Sequence, residues 1–272
     1  MSGKDYSNSE QARTPMDASG LKPPVSVAAL RGPAWIREGL SLWRKSPLNF
    51  TAMGLAATLI FVGVQLVPLV GAILALIFWP HLSAGLYLAL RHALEDKPVQ
   101  LGDLLQPFRQ PGPLAMLGST YLVLSIVLMV TVFALMAGQV GMEQLQLWME
   151  PQEGGFDQAT LQQVLAELVW PILAGVVLTL LLFMAFAFAP LLVHQHSKKT
   201  YEAIGLSFMA CLRALPAFIL WALCWMGIFM LASLLAVIPV AGGPLYLLFM
   251  LVVVVFMTAS LYSAYLDLFI RD

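Results

Sequence analysis

Long apolar runs separated by short polar ones set the pattern of this chain. Six runs, roughly 48–67, 70–91, 113–136, 168–193, 216–238 and 244–268, are candidate helices that cross a bilayer, because a spanning helix needs about 20 mostly apolar residues. The first two are joined by little more than Val67-Pro68-Leu69, and the last two by Pro239 to Pro244 with Gly242 and Gly243. Both links are uncharged hairpin turns in which Pro and Gly end a helix. The link 137–162 is longer and holds Glu143, Glu150, Glu153 and Asp157 but no Lys or Arg. Asp157 is placed to cap the fourth helix. Leu161, Val164, Leu165 and Leu168 align on one face of an amphipathic turn ahead of that span.

Three shorter segments precede spans and alternate with helical period. In Ala34 to Lys45, one face is Trp35, Ile36, Gly39, Leu40 and Trp43; the other is Arg37, Glu38, Ser41, Arg44 and Lys45. In Leu101 to Arg109, Leu101, Leu104, Leu105 and Phe108 share a face, and in Tyr201 to Arg213, Tyr201, Ile204, Phe208 and Leu212 do. Such helices are expected to lie in the membrane interface, aromatic side down and basic side among headgroups, or to pack on the end of the bundle.

Composition supports the membrane reading. The 272 residues are 60% hydrophobic and 11% charged, against about 45–50% and about 25% in soluble domains. Charge then gives orientation. The fourteen Lys and Arg fall in the tail, the segments before odd-numbered spans, the last residues and, for Arg91, the very end of the second run. Basic residues are retained on the cytoplasmic side, so both termini are expected in the cytoplasm and 137–162 in the periplasm. The net charge of −1 suggests no nucleic-acid partner. Residues 1–28 are polar, with no apolar core of a signal peptide, and are expected to be a disordered cytoplasmic tail ahead of a transmembrane domain over 29–272.

The order of amphipathic helix, span, turn and span recurs three times, approximately over 30–93, 98–196 and 199–270. Gly39-Leu40-Ser41 parallels Gly205-Leu206-Ser207, Arg44 and Pro47 parallel Arg213 and Pro216, and Ser83 to Tyr87 parallels Thr258 to Tyr262. The middle unit is looser, with Phe108-Arg109 and Pro113 at the corresponding place. The expected fold is all-α: a polytopic membrane protein with three parallel hairpin repeats, each preceded by an amphipathic helix.

Trp35-Ile36-Arg37-Glu38-Gly39 leading to Arg44-Lys45-Ser46-Pro47 is similar to the opening of a family of uncharacterised proteobacterial six-span inner-membrane proteins. Ala189-Pro190-Leu191-Leu192-Val193, followed by Glu202-Ala203 and Ser207, resembles a pattern in that family. It also resembles the membrane domain attached to some glycerophosphodiester phosphodiesterases. The resemblance covers about 30–270 and implies a bacterial inner-membrane location but no chemistry.

Candidate chemistry is sparse. His81 follows Trp79-Pro80 within the second span, and an intramembrane His is a candidate proton relay or ligand; otherwise it is a neutral, hydrogen-bonded ring. Thr258, Ser260 and Tyr262 would join it in a polar site. His194-Gln195-His196, with Cys211, is too thin a set for a metal, and adjacent Lys198 and Lys199 disfavour a cation. Ala259, Ser260, Ser263 and Ala264 suit close helix packing. Asp267 is spaced to pair with Arg271. Candidate contacts to inner-leaflet lipid or a partner are Trp35, Arg37, Trp43, Arg44, Lys45, Arg109, Lys198, Lys199 and Arg213. No triad, paired carboxylates or phosphate loop is present, so neither an enzyme nor a cofactor is expected. The expected role is assembly, scaffolding or lipid organisation, with membrane lipids and a membrane-protein partner as contacts. The alternative is a transporter or channel for a small or amphipathic solute.

Overall fold

The computed structural model of the protein describes residues 21–68, 70–149, 157–238 and 241–271. Its secondary structure is helical, with no strand among the described residues. Six helices or helix pairs are long and apolar enough to cross a membrane: Pro47–Gln65, Gly71–Leu94, Gly112–Val140, Gln158–His196, Leu215–Ser233 and Gly242–Ile270. We name the elements α1 (Arg31–Lys45), α2 (Pro47–Gln65), α3 (Gly71–Leu94), α4 (Gly102–Leu105), α5 (Gly112–Val140), α6 (Met142–Met149), α7 (Gln158–Phe186), α8 (Ala189–His196), α9 (Thr200–Arg213), α10 (Leu215–Ser233) and α11 (Gly242–Tyr265).

Helix boundaries follow local chemistry. Asp157 caps α7 as expected, its carboxylate accepting from the Thr160 N–H at 2.8 Å, and this starts the fourth span ten residues before the apolar run. Prolines open α2, α5, α8 and α10 at the first or second position, where a missing N–H leaves no bond unmade. Pro190 also explains why the fourth span breaks between α7 and α8. At that break Ser207 of α9 inserts its hydroxyl into the helical ladder. It accepts from the Phe188 N–H at 3.0 Å and donates to the Met184 carbonyl at 2.8 Å. These two groups would bond each other in an unbroken helix, so one side chain satisfies both in a buried place.

α3 and α11 form the centre. Residues 80–90 of α3 and 262–269 at the end of α11 are buried on every side, as expected of helices apolar all round. The short helices interlock with these and their neighbours. α1 packs on α10 and α11, α4 on α3, and α9 on α7 and α8. Each short helix therefore packs mainly on a hairpin other than the one it leads into. Two glycines let these short helices approach closely. A Cβ on Gly39 would lie 2.7 Å from the Ser260 nitrogen, and one on Gly85 would lie 2.4 Å from the Leu104 carbonyl oxygen.

The opposite end is looser. α5 and α7 pack on each other, but Val123, Val127, Val130, Trp170, Leu173 and Val177 are exposed in the isolated chain. Water would not tolerate so large an apolar surface, whereas lipid covers it.

Several expectations change. α1 does not lay its aromatic face on headgroups: Trp35 is wholly buried and stacks obliquely on Phe218 with ring centres 5.1 Å apart. The reason is Gly39, which lets the helix enter the bundle. In the 101–109 segment Leu104 is buried, but Leu101 and Leu105 are each 52% exposed, and the segment is one turn of α4 followed by a 3-10 helix, Gln106–Arg109, rather than a single amphipathic helix. In α9 the small residues Ala203, Ser207 and Ala210 are buried, and Tyr201 and Leu212 of the apolar stripe face outward. The parallel Gly-Leu-Ser tripeptides also differ: Gly39 is inside and Ser41 outside, while Gly205 is outside and Ser207 inside. Of the expected tail, residues 1–20 lie outside the described residues. Over 21–28 the chain is held to the end of α11, the Lys22 and Val25 N–H groups donating to the Phe269 and Leu268 carbonyls at 3.2 and 3.1 Å. Pro239 and Val240 of the last turn, and Glu150 and Glu153 of the acidic link, also lie outside.

Candidate functional site

The described Lys and Arg residues collect at the end of the bundle where α1, α4, α8 and α9 pack, and part of them is engaged within the fold. The main network centres on Asp267, just past α11. Its carboxylate accepts from Trp35 Nε1 at 2.7 Å, from Arg31 Nε at 2.6 Å and from Arg271 Nη1 at 2.9 Å. The expected pairing of Asp267 with Arg271 is present. Glu38 of α1 completes the set, accepting from Arg31 at 2.8 Å and Arg271 at 2.9 Å. Partial burial opposes charge on both guanidiniums, but hydrogen bonds to Glu38 and Asp267 outweigh it and raise both above the ordinary value. This network joins the first helix to the last turn of the chain.

A second set ties the α3–α4 corner. Lys45 donates to the Ala93 carbonyl at 2.9 Å and to Asp96 at 2.7 Å. Asp103 accepts from the Gln100 N–H at 3.0 Å and meets His92 at 3.1 Å. Glu95 accepts from Lys97 and Arg91, and these bonds hold its carboxyl down at about 2. Arg213 donates to the Pro24 carbonyl, clasping the 21–28 segment.

Four bases remain at this end, exposed and without an ion-pair partner among the described residues: Arg37, Arg44, Arg109 and Lys199. Arg37 and Arg44 lie two turns apart on the outer face of α1. Trp43, beside them, is half-buried against Phe256 at 5.1 Å. The other end differs in sign. Its described charged residues are Glu143, Asp157 and Glu167, with no Lys or Arg. Charge is thus separated along the molecule.

His81 is wholly buried, and the residues proposed to join it have other partners. Its ring stacks on Phe108 with centres 4.8 Å apart and meets Phe78 edge-on at 6.0 Å. Neither ring nitrogen has a side-chain partner, and the Pro111 and Ile77 backbones lie beside the ring. Ser260 instead accepts from Trp221 Nε1 at 2.9 Å and donates to the Met257 carbonyl. Thr258 bonds the Val254 carbonyl of its own helix, and Tyr262 stacks on Tyr265 at 5.8 Å. Helical spacing alone could not show these partners: Tyr262 does meet α3, but at Tyr87, with ring centres 6.2 Å apart. His196 shares a hydrogen bond with Tyr265 Oη. Burial pushes the Cys211 thiol up to about 12. Among the described residues no three His, Cys, Asp or Glu side chains are grouped to hold a metal ion.

Sequence reasoning placed Ser207 in motifs but missed its bridge between Phe188 and Met184, and missed the Trp35–Asp267 bond. A hydroxyl opposite an Ala-Pro break, and an acid at the end of an apolar run, were the available signals.

A probable inner membrane protein of Burkholderia thailandensis is 30% identical over 259 residues, covering 89% of this chain and 90% of that protein. No family model matches the chain, and no solved structure matches it. Six membrane-length apolar helices and end-to-end likeness to this relative lead to one conclusion: the chain belongs to the family of that Burkholderia protein, multi-pass proteins of the inner membrane.

Proposed function

We propose that this protein is non-enzymatic and organises anionic lipid at its basic end, which faces the cytoplasm together with both termini, while the acidic 137–162 link faces the periplasm. One observation carries the reading. Arg37, Arg44, Arg109 and Lys199 are exposed at one end without an ion-pair partner among the described residues, and the described charges of the other end are acids. An exposed base near an anionic leaflet contributes about 1 kcal/mol of attraction. The outward Tyr201 and Leu212 of α9 place apolar surface beside those charges, as an interfacial helix does. The likeness of 189–207 to the membrane domain of glycerophosphodiester phosphodiesterases belongs to this proposal too: in this chain those residues make packing contacts, among them the Ser207 bridge.

The test is the lipid annulus of the full-length protein, extracted mildly and compared with bulk membrane. Enrichment in anionic lipid, reduced in Arg37→Gln/Arg44→Gln/Arg109→Gln, supports the reading. An annulus of bulk composition refutes it. The same anionic platform would suit a membrane-protein partner, which in-membrane crosslinking would capture. The transport alternative would have His81, Thr258, Ser260 and Tyr262 lend polar groups to a cleft among the hairpins; the wholly buried stretch of α3 around His81 speaks for the lipid-organising reading.

A further inference from the structure

The middle hairpin, α5 and α7, is longer than its neighbours. Each of its helices has 29 residues, against 19 in α2 and in α10. A Cβ on Gly118 of α5 would lie 2.2 Å from the Ile77 carbonyl oxygen of α3, so the two helices cross there. Beyond the crossing α3 has residues 71–76 left to its outer end, about 9 Å, while α5 runs on over 119–140, about 33 Å. The middle hairpin therefore stands past the outer turn between α2 and α3. In α7 the apolar residues 168–186 suffice for about 30 Å of hydrocarbon. Residues 158–167 before them add about 15 Å of helix outside it. Asp157 and Glu167 bracket that stretch, with Gln158, Gln162 and Gln163 between.

This projecting part is ordered by its own contacts. Gly141, at φ 84° in the region that favours glycine, turns α5 into α6, and α6 packs back on α5 with Leu145 buried. The Asp157 carboxylate caps α7. One face is nevertheless bare. Leu161 and Leu165 are 46% and 58% exposed. Val169 and Ile172 follow them at helical spacing and are exposed too, so the stripe that meets lipid in the span continues out of the bilayer. Lipid tails do not reach the two leucines, and apolar surface left in water marks an interaction site. Charge selects the occupant. Between Arg109 and Lys198 the chain has no Lys or Arg and five acids, Glu143, Glu150, Glu153, Asp157 and Glu167. A second copy would set acids against acids, and anionic headgroups would be repelled, whereas a basic surface is attracted.

We infer that the outer face of α7 around Leu161 and Leu165 docks a basic amphipathic helix of another protein. The apolar residues of that helix cover the two leucines, and its Lys or Arg side chains meet the acids of the hairpin. Burial of apolar side chains stabilises such a contact, and opposite charge selects the partner. The inference rests on the orientation proposed above, with this end in the periplasm, and not on lipid organisation.

The test is photo-crosslinking of the full-length protein. In intact cells, benzoylphenylalanine in place of Leu165 should form one protein adduct; in place of Val177, on the lipid-covered part of α7, it should form none. Mass spectrometry of the adduct should read a crosslinked segment with Lys or Arg at helical spacing among apolar residues. In phosphatidylcholine nanodiscs, a synthetic Leu/Lys helix should crosslink at Leu165 about tenfold better than a Leu/Glu helix of equal length. Glu143→Gln/Asp157→Asn/Glu167→Gln should shrink that preference to about threefold, since Asn still caps α7. An adduct with a second copy, with lipid alone or with a segment lacking bases overturns the inference. So does equal capture of the two synthetic helices. No adduct at Leu165, with a Gln158 cysteine labelled from the periplasm, overturns it and leaves the lipid-organising reading standing. A Gln158 cysteine reached only from the cytoplasm overturns both.

Discussion

Ser207 shows how much one hydroxyl decides in this protein. It bridges a donor and an acceptor that Pro190 has pulled out of register, in a place closed to water. Ser207→Ala should therefore destabilise by about 1–3 kcal/mol, the penalty for orphaned buried polar groups, while Ser41→Ala, on an exposed hydroxyl bonded to its own helix, should stay within about 0.5 kcal/mol. Thermal unfolding in detergent checks both. Glu95 gives a pH dependence of known sign. Its folded carboxyl sits at about 2 against an ordinary 4.5, so its stabilisation is complete above 4.5 and is lost as pH falls from there through 2. Because Glu95 is partly exposed, the effect is under about 1 kcal/mol. Glu95→Gln should flatten the melting temperature between pH 5 and 3 by that small amount. Of these residues, Asp157 was legible in sequence because a cap acts within one turn. Ser207 was not, because its partners lie on another helix.

Among the elements, the short helices carry the lesson. Gly39 and Gly205 occupy parallel positions in parallel motifs, yet a Cβ on Gly39 meets the backbone of α11 and one on Gly205 meets nothing within 4 Å. Gly39→Ala should push α1 off α11 and lower stability by about 1–3 kcal/mol. Gly205→Ala should be neutral or stabilise by up to about 1 kcal/mol. If the two variants unfold alike, α1 and α9 are not seated as described. Helical structure stands at all three segments, continuous in α1 and α9 and split at 101–109, since periodicity reports which residues are apolar. It could not say whether an apolar stripe faces protein or lipid, because both accept it. In α9 the small-residue face turned inward and the large apolar stripe outward; in α1 Trp35 turned inward, because Gly39 allows contact between backbones.

At the scale of the whole molecule, charge separation sets the expected orientation. A single cysteine at Gln158, beside the outer cap of α7, should be labelled by an impermeant thiol reagent from the periplasm, and one at Arg37 only after the inner membrane is opened. Label at Arg37 in intact cells would reverse the topology and remove the basis for an inner-leaflet role. Removing the background thiols is feasible: Cys211 is buried and Cys224 is half-buried, and neither forms a disulfide. The sequence by itself determined the six spans, the all-helical class and the collection of bases at one end. A bilayer imposes these segment by segment, through length, apolarity and charge. Only the tertiary structure decided which bases are engaged and which stay exposed, where His81 lies, and how the chain closes on itself. Those outcomes depend on contacts such as Trp35 with Asp267, 232 positions apart, and no local pattern encodes the approach of two such distant segments.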